Sequence, residues 1–168
     1  DDITLYAKWT KDGEEDTEKP EEDNSSSVPQ SVFTDISASD WYYNAVKYVT
    51  DNKLMNGVAE NKFAPNAQLT RAMLVTILYR NEGEPEINEK AVFTDVESGF
   101  YYENPVAWAQ ANGIVNGVTD TLFAPDENIT REQIAAIMFR YAQYKGMDAV
   151  TLEENLNFAD ANEISEYA

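Results

Sequence analysis

From Phe33 onward the apolar residues fall twice into helical register. Tyr42, Ala45, Val46 and Val49 recur at i, i+3, i+4, i+7, the spacing of one buried helical face. Ser39 or Asp40 is the expected N-cap of that helix, and the stretch from Asn52 to Gly57 its expected end, with Leu54 and Met55 still apolar and expected inside. A second helix is predicted to open at Thr70, with Leu74, Val75, Ile77 and Leu78 turned inward. Its counterpart opens at Thr130, where Gln133 completes a capping-box pattern and Ile134, Ile137, Met138 and Tyr141 form the face. At Thr70 the box is half present, because Met73 stands where Gln or Glu is needed. Gly83 and Gly146 are the expected terminators, and Asn104-Pro105 lies near a helix start, where proline is tolerated. Between the helices, Gly57-Val58 and Phe63-Ala64-Pro65 flank a polar turn, so extended structure with brief strand pairing is expected. Residues 3–10 differ. Ile3, Leu5, Ala7 and Trp9 alternate with Thr4, Tyr6, Lys8 and Thr10, the pattern of a half-buried strand. A lone strand is unstable, so its partners are expected upstream.

The chain repeats itself at an offset of sixty residues without a gap. Phe33-Thr34-Asp35 returns as Phe93-Thr94-Asp95, Asn56-Gly57-Val58 as Asn116-Gly117-Val118, and Phe63-Ala64-Pro65 as Phe123-Ala124-Pro125. Thr70-Arg71 returns as Thr130-Arg131, and Arg80 as Arg140. A third copy opens at Phe158-Ala159-Asp160. Such a period marks a supersecondary unit that clusters with its neighbours. The predicted fold is mostly α: tandem helix–loop–helix repeats with one N-terminal β-strand remnant. The divisions are a strand at 1–10, an acidic linker at 11–31, a first repeat at 32–90, a second at 91–150 and the start of a third at 151–168. Both ends read as cut from a longer protein.

These shared residues resemble the S-layer-homology repeat. That pattern runs Phe-x-Asp, an aromatic pair, Gly-x-x-x-Gly, Phe-x-Pro, and Thr-Arg-Ala-Glu opening a second helix. Here it reads Phe33/Asp35, Trp41-Tyr42, Gly57, Phe63/Pro65 and Thr70-Arg71, then Phe93/Asp95, Tyr101-Tyr102, Gly113/Gly117, Phe123/Pro125 and Thr130-Arg131. Lys53 replaces the first Gly in one copy, and Met73 and Gln133 replace the Glu. Leu5-Tyr6-Ala7-Lys8-Trp9 is similar to the last strand of Listeria–Bacteroides-type β repeats. The resemblance implies three repeats in a pseudo-threefold helical assembly that holds a secreted protein non-covalently on a Gram-positive wall. The implied location is extracellular, and the implied partner is a secondary cell-wall polysaccharide, often carrying a pyruvate ketal on N-acetylmannosamine, bound in grooves between repeats.

Composition narrows the chemistry. Cysteine and histidine are both absent, which removes disulfides, Cys/His zinc sites, thiol nucleophiles and Ser-His-Asp triads. The formal net charge of −19 opposes binding to nucleic acid or anionic lipid, and no apolar run spans a bilayer. No cofactor, metal or catalytic residue is expected. Residues 11–31 concentrate Asp, Glu, Ser and Pro and read as a solvated linker. The aromatic share of 12% argues that the remainder is folded.

The glycan-binding candidates come in equivalent pairs. Arg71 and Arg131 follow helix N-caps, where a guanidinium beside unpaired amides would cradle a carboxylate. Thr70 and Thr130 are those caps. The competing reading pairs each arginine with an acid, Glu132 or Asp126 for Arg131, or stacks it on an aromatic ring. Trp41 and Tyr101 open their helices as sugar-stacking platforms or as core aromatics. Asp35 and Asp95 either bond sugar hydroxyls or cap local turns. Gly57 and Gly117 mark a tight turn or a groove floor. A two-carboxylate glycosidase is disfavoured, because nothing marks one acidic pair. A protein–protein or self-assembly module of a surface layer is the alternative, and calcium-loop spacing is missing.

Overall fold

The computed structural model describes residues 33–147, 159 and 161–165. The strand at 1–10 and the linker at 11–31 lie outside the described residues, as do Phe158 and Asp160 of the third copy. The described chain is mostly helical. In order it forms α1 (Tyr43–Asp51), α2 (Arg71–Asn81), α3 (Glu103–Ala111) and α4 (Arg131–Tyr144), followed by a 3-10 turn at Ala161–Glu163.

The second helix of each repeat starts where its threonine predicts. Thr70 Oγ1 accepts from Met73 N at 3.2 Å, and Thr130 Oγ1 accepts from Gln133 N at 3.3 Å. Gln133 Oε1 returns the bond to Thr130 N, so the capping box is complete only in α4. Gly83 and Gly146 adopt positive φ just past α2 and α4, as terminators do. Helix α1 starts later than expected, whereas α3 starts at Glu103 with Asn104-Pro105 in its first turn, as expected. Their N-caps are Tyr42 and Tyr102, with no side-chain cap. Asp40 instead accepts from Ser37 N at 2.7 Å and so closes the turn before α1. Of the predicted α1 face, Val46 is buried and Ala45 is exposed. Pairing outside the helices is brief, as expected: isolated bridges join Ala59 to Lys62 within the first loop and Thr70 to Asn128 between the repeats.

One core serves both repeats. It joins Val75, Leu78 and Tyr79 of α2 to Phe93, Val106, Trp108, Ile114 and Phe123 of the second repeat and Ile137 of α4. The Tyr79 and Trp108 rings lie 5.7 Å apart where α2 packs on α3. Each such side chain stabilises the fold by roughly 1.5–3 kcal/mol on burial.

Helix α2 is tied at both ends to the second repeat. At its start Arg71 N donates to Glu127 O and Ala72 N to Pro125 O, each at 3.0 Å. Two amides that a helix start leaves unpaired are thereby satisfied by the neighbouring loop. At its end Asn81 Nδ2 donates to Tyr141 Oη at 2.8 Å, Tyr141 donates to Glu82, and Lys145 Nζ lies 3.0 Å from both Glu82 oxygens. The tyrosine hydroxyl, above all, holds the Glu82 carboxyl below its ordinary range.

Equivalent residues therefore meet unequal surroundings. Val75, Leu78 and Tyr79 are buried, whereas Ala135, Met138 and Phe139 at the same places on α4 are exposed. The predicted α4 face is thus only partly covered: Ile137 and Tyr141 are buried, and Met138 is not. The loops show the converse. Ile114, Val115 and Phe123 are buried, while Leu54, Met55 and Phe63 are half-buried. The cause is one-sided packing: the start of α2 covers the second loop, and no described residue does the same for the first.

Candidate functional site

Two carboxylates fix the shape of the inter-helix loops. Asp35 accepts from Phe63 N at 3.0 Å and from Ala64 N at 2.8 Å. Asp95 repeats this with Phe123 N at 2.9 Å and Ala124 N at 2.7 Å. The amide of Phe63, then that of Ala64, holds the Asp35 carboxyl below its ordinary range. Ala64 and Ala124 sit at φ 57° and 59°, a left-handed conformation that turns two successive N–H groups toward one acid. Both aspartates therefore build the loop within their own repeat.

The two candidate arginines occupy opposite environments. Arg71 is 4% exposed. Its Nε donates to Phe123 O at 2.8 Å and its Nη2 to Asn116 O at 3.2 Å, with the guanidinium carbon 4.8 Å from the Phe123 ring centroid. It faces the second repeat's loop. Arg131 is exposed, and its side chain has no hydrogen-bond or ion-pair partner among the described residues. The neighbouring Glu132 accepts from Ser165 N at 3.1 Å, so the start of α4 touches the segment that follows it.

The aromatic pair splits similarly. Trp41 is 92% exposed and meets Tyr42 edge-on at 5.3 Å. Tyr101 meets Tyr102 the same way at 5.1 Å, but it also walls a groove. This groove, of about 500 Å³, runs between the first repeat's loop and the open side of α2. Gly57, Phe63 and Pro65 line one wall, Met73, Ile77 and Arg80 the other, and Tyr101 of the second repeat closes it. Of the sequence-predicted residues the groove brings together Gly57 and Tyr101. Thr70, Thr130, Arg71, Arg131, Asp35, Asp95, Trp41 and Gly117 are not on its walls.

Sequence reasoning passed over Arg80, the cation of this groove, and Met73 as a lining residue, and it turned Ile77 inward, whereas Ile77 is only half-buried and lines the groove because no described residue covers that side of α2. Arg80 Nη1 donates to Leu54 O at 3.3 Å, and its Nε lies 3.8 Å from Glu84 Oε1. The available signal was its return as Arg140. The groove offers an exposed phenol ring, a guanidinium and an apolar floor, a combination that stacks on sugars and pairs with anions.

The chain belongs to the S-layer homology domain family, whose model matches residues 32–72 and 92–135. It is 32% identical over 136 residues to an endoglucanase of a Bacillus species, covering 81% of this chain and 14% of that protein. It is 28% identical to a cellulosome-anchoring protein of Acetivibrio thermocellus, across 79% of this chain and 31% of the relative. It is 31% identical to the surface-layer 125 kDa protein of Lysinibacillus sphaericus, across 74% of this chain and 10% of the relative. The chain thus spans a minor part of the curated relatives it matches. These repeats belong to a protein of the bacterial cell surface.

Proposed function

We propose that these repeats hold the protein that carries them on the cell wall by binding a secondary wall polysaccharide, and that they contribute no catalysis. The groove closed by Tyr101 carries this reading. Both walls come from the first repeat and Tyr101 of the second closes it, so the closed groove exists only when the two are docked. In that groove Tyr101 stacks on a sugar ring, the apolar floor takes methyl or ring C–H faces, and a carboxylate such as that of a pyruvate ketal meets a cation. Trp41 is the equivalent platform for a groove completed by another repeat, which is how a pseudo-threefold assembly of three repeats would use it. Arg131 with Thr130 is assigned to the junction between the second repeat and the repeat that follows it, as Arg71 with Thr70 joins the first to the second. Arg71, Thr70, Asp35, Asp95 and Gly117 shape and join the repeats that form the groove.

Co-sedimentation with purified Gram-positive wall sacculi tests this. Intact sacculi should retain the protein, acid-stripped sacculi should not, and Tyr101→Ala should weaken retention by about tenfold. Equal retention on stripped walls would remove the polysaccharide from the reading.

The unequal burial supports a second reading, self-assembly. The first repeat's loop carries Asn56, Phe63 and Pro65 where the second repeat's loop, with Asn116, Phe123 and Pro125, receives Arg71. Arg131 of one copy has the residue type to enter that open loop in another. This contact is head-to-tail, which builds rings or chains. Sedimentation velocity should show concentration-dependent association that Met138→Glu or Arg131→Glu abolishes. It should strengthen with salt, because a charge of −19 makes copies repel. A single species at every concentration and salt would exclude it.

A further inference from the structure

We infer that Arg80, rather than the arginines of the Thr-Arg elements, is the residue through which this groove selects a carboxylate-bearing sugar. This rests on the glycan reading above and assigns its specificity. Arg80 is the cation among the groove's lining residues, and a cation in a mainly apolar recess acts on an anion with less screening than one in open solvent. Arg71 is buried against the neighbouring loop and Arg131 lies off the groove walls. The Arg80 guanidinium is oriented but incompletely used. Nη1 is held by Leu54 O at 3.3 Å, and Nε faces Glu84 Oε1 at a loose 3.8 Å. Nη2 has no hydrogen-bond partner among the described residues. The tether to a backbone carbonyl fixes the plane of the fork, so an incoming carboxylate meets a donor already in position. The Tyr101 ring, on the same groove, is exposed and its hydroxyl has no hydrogen-bond partner among the described residues. A sugar stacked on Tyr101 can thus turn an acidic substituent toward Arg80.

Glu84 makes the idea testable by a gain of binding. It stands four residues on, is mostly exposed and lies outside the groove lining. As a resident anion near Arg80 it competes with the ligand's carboxylate. The probe is purified wall polysaccharide, intact and after its carboxylates have been reduced to alcohols, measured by calorimetry. Wild type should bind the reduced polymer about 10- to 100-fold more weakly, the range for one charge-assisted hydrogen bond. Arg80→Gln should bind intact polymer as weakly as wild type binds reduced polymer, and should lose little more on reduction. Glu84→Gln should tighten binding of intact polymer only, which a misfolded variant cannot imitate. If Arg80→Gln still discriminates the two polymers as wild type does, or Glu84→Gln acts equally on both, Arg80 is not the carboxylate reader. If wild type binds both polymers equally well, the glycan reading stands and the acidic specificity falls. If it binds neither, both fall.

Discussion

Arg71→Ala lowers the stability of the docked repeats by about 3–5 kcal/mol, whereas Arg131→Ala changes it by less than about 0.5 kcal/mol. The two residues hold the same place in the repeat, and their surroundings separate them. Removing the Arg71 side chain strips Phe123 O of a 2.8 Å donor and Asn116 O of a 3.2 Å one. A buried acceptor left unsatisfied costs ~1–3 kcal/mol. The cation over the Phe123 ring contributes ~0.5–2 kcal/mol more, and the aliphatic stem leaves a void where it crossed the interface. Arg131 has no such contacts to lose. Urea unfolding of both variants, read by far-UV circular dichroism, measures the difference, and equal losses would show that Arg71 is not the joint between repeats. The same experiment governs how wall-binding mutants are read. A loss of retention in Arg71→Ala reports undocked repeats, while a loss in Arg80 or Tyr101 variants of wild-type stability reports the groove.

This contrast also shows where the sequence was informative. The sixty-residue register, the Thr70 and Thr130 caps and the glycine terminators are local signals, and local hydrogen bonds enforce them. The same pattern at α2 and α4 predicts equal burial, yet Leu78 is inside and Met138 outside. Burial is decided by what docks on the face, and a repeat's neighbours are not written in its own periodicity. Asp35 illustrates the other limit. Its partners Phe63 and Ala64 lie 28 and 29 residues away, too far for a capping rule, so a sugar-binding role and a turn-closing role looked alike. Arg80 was passed over because it sits near the end of α2 among apolar positions, where an arginine is usually a solvated helix-end charge. Only the fold brings it into one groove with Tyr101.

Gly117→Ala is expected to destabilise by about 3 kcal/mol or more, and Gly57→Ala by less, near 2 kcal/mol. Glycine at both sites could have meant positive φ or close approach, and the geometry favours close approach. Neither residue is among those with positive φ. A Cβ on Gly117 would fall 2.1 Å from Thr119 O, 2.4 Å from Leu122 O and 2.7 Å from Phe93 Cε1. The two oxygens are backbone, and Phe93 is buried in the shared core, so nothing near that Cβ can yield cheaply. On Gly57 the Cβ would meet Lys62 O at 2.4 Å and Phe33 Cε1 at 2.7 Å. Phe33 is only half-buried, so its ring is less confined than that of Phe93. Gly113 gives the control, because it has φ +67° and open space for a Cβ. Gly113→Ala should cost only the roughly 1 kcal/mol of a left-handed conformation, a cost the first repeat already bears at Lys53, with φ 57°. Conversely, Lys53→Gly should be close to neutral or stabilising by a few tenths of a kcal/mol, the relieved strain being offset by glycine's greater freedom in the unfolded chain. Thermal unfolding of the four variants should therefore rank Gly117→Ala below Gly57→Ala, below Gly113→Ala, below Lys53→Gly. A Gly113→Ala loss equal to that of Gly117→Ala would mean that backbone conformation, and not the space between loop and core, is what the repeat protects at its glycines.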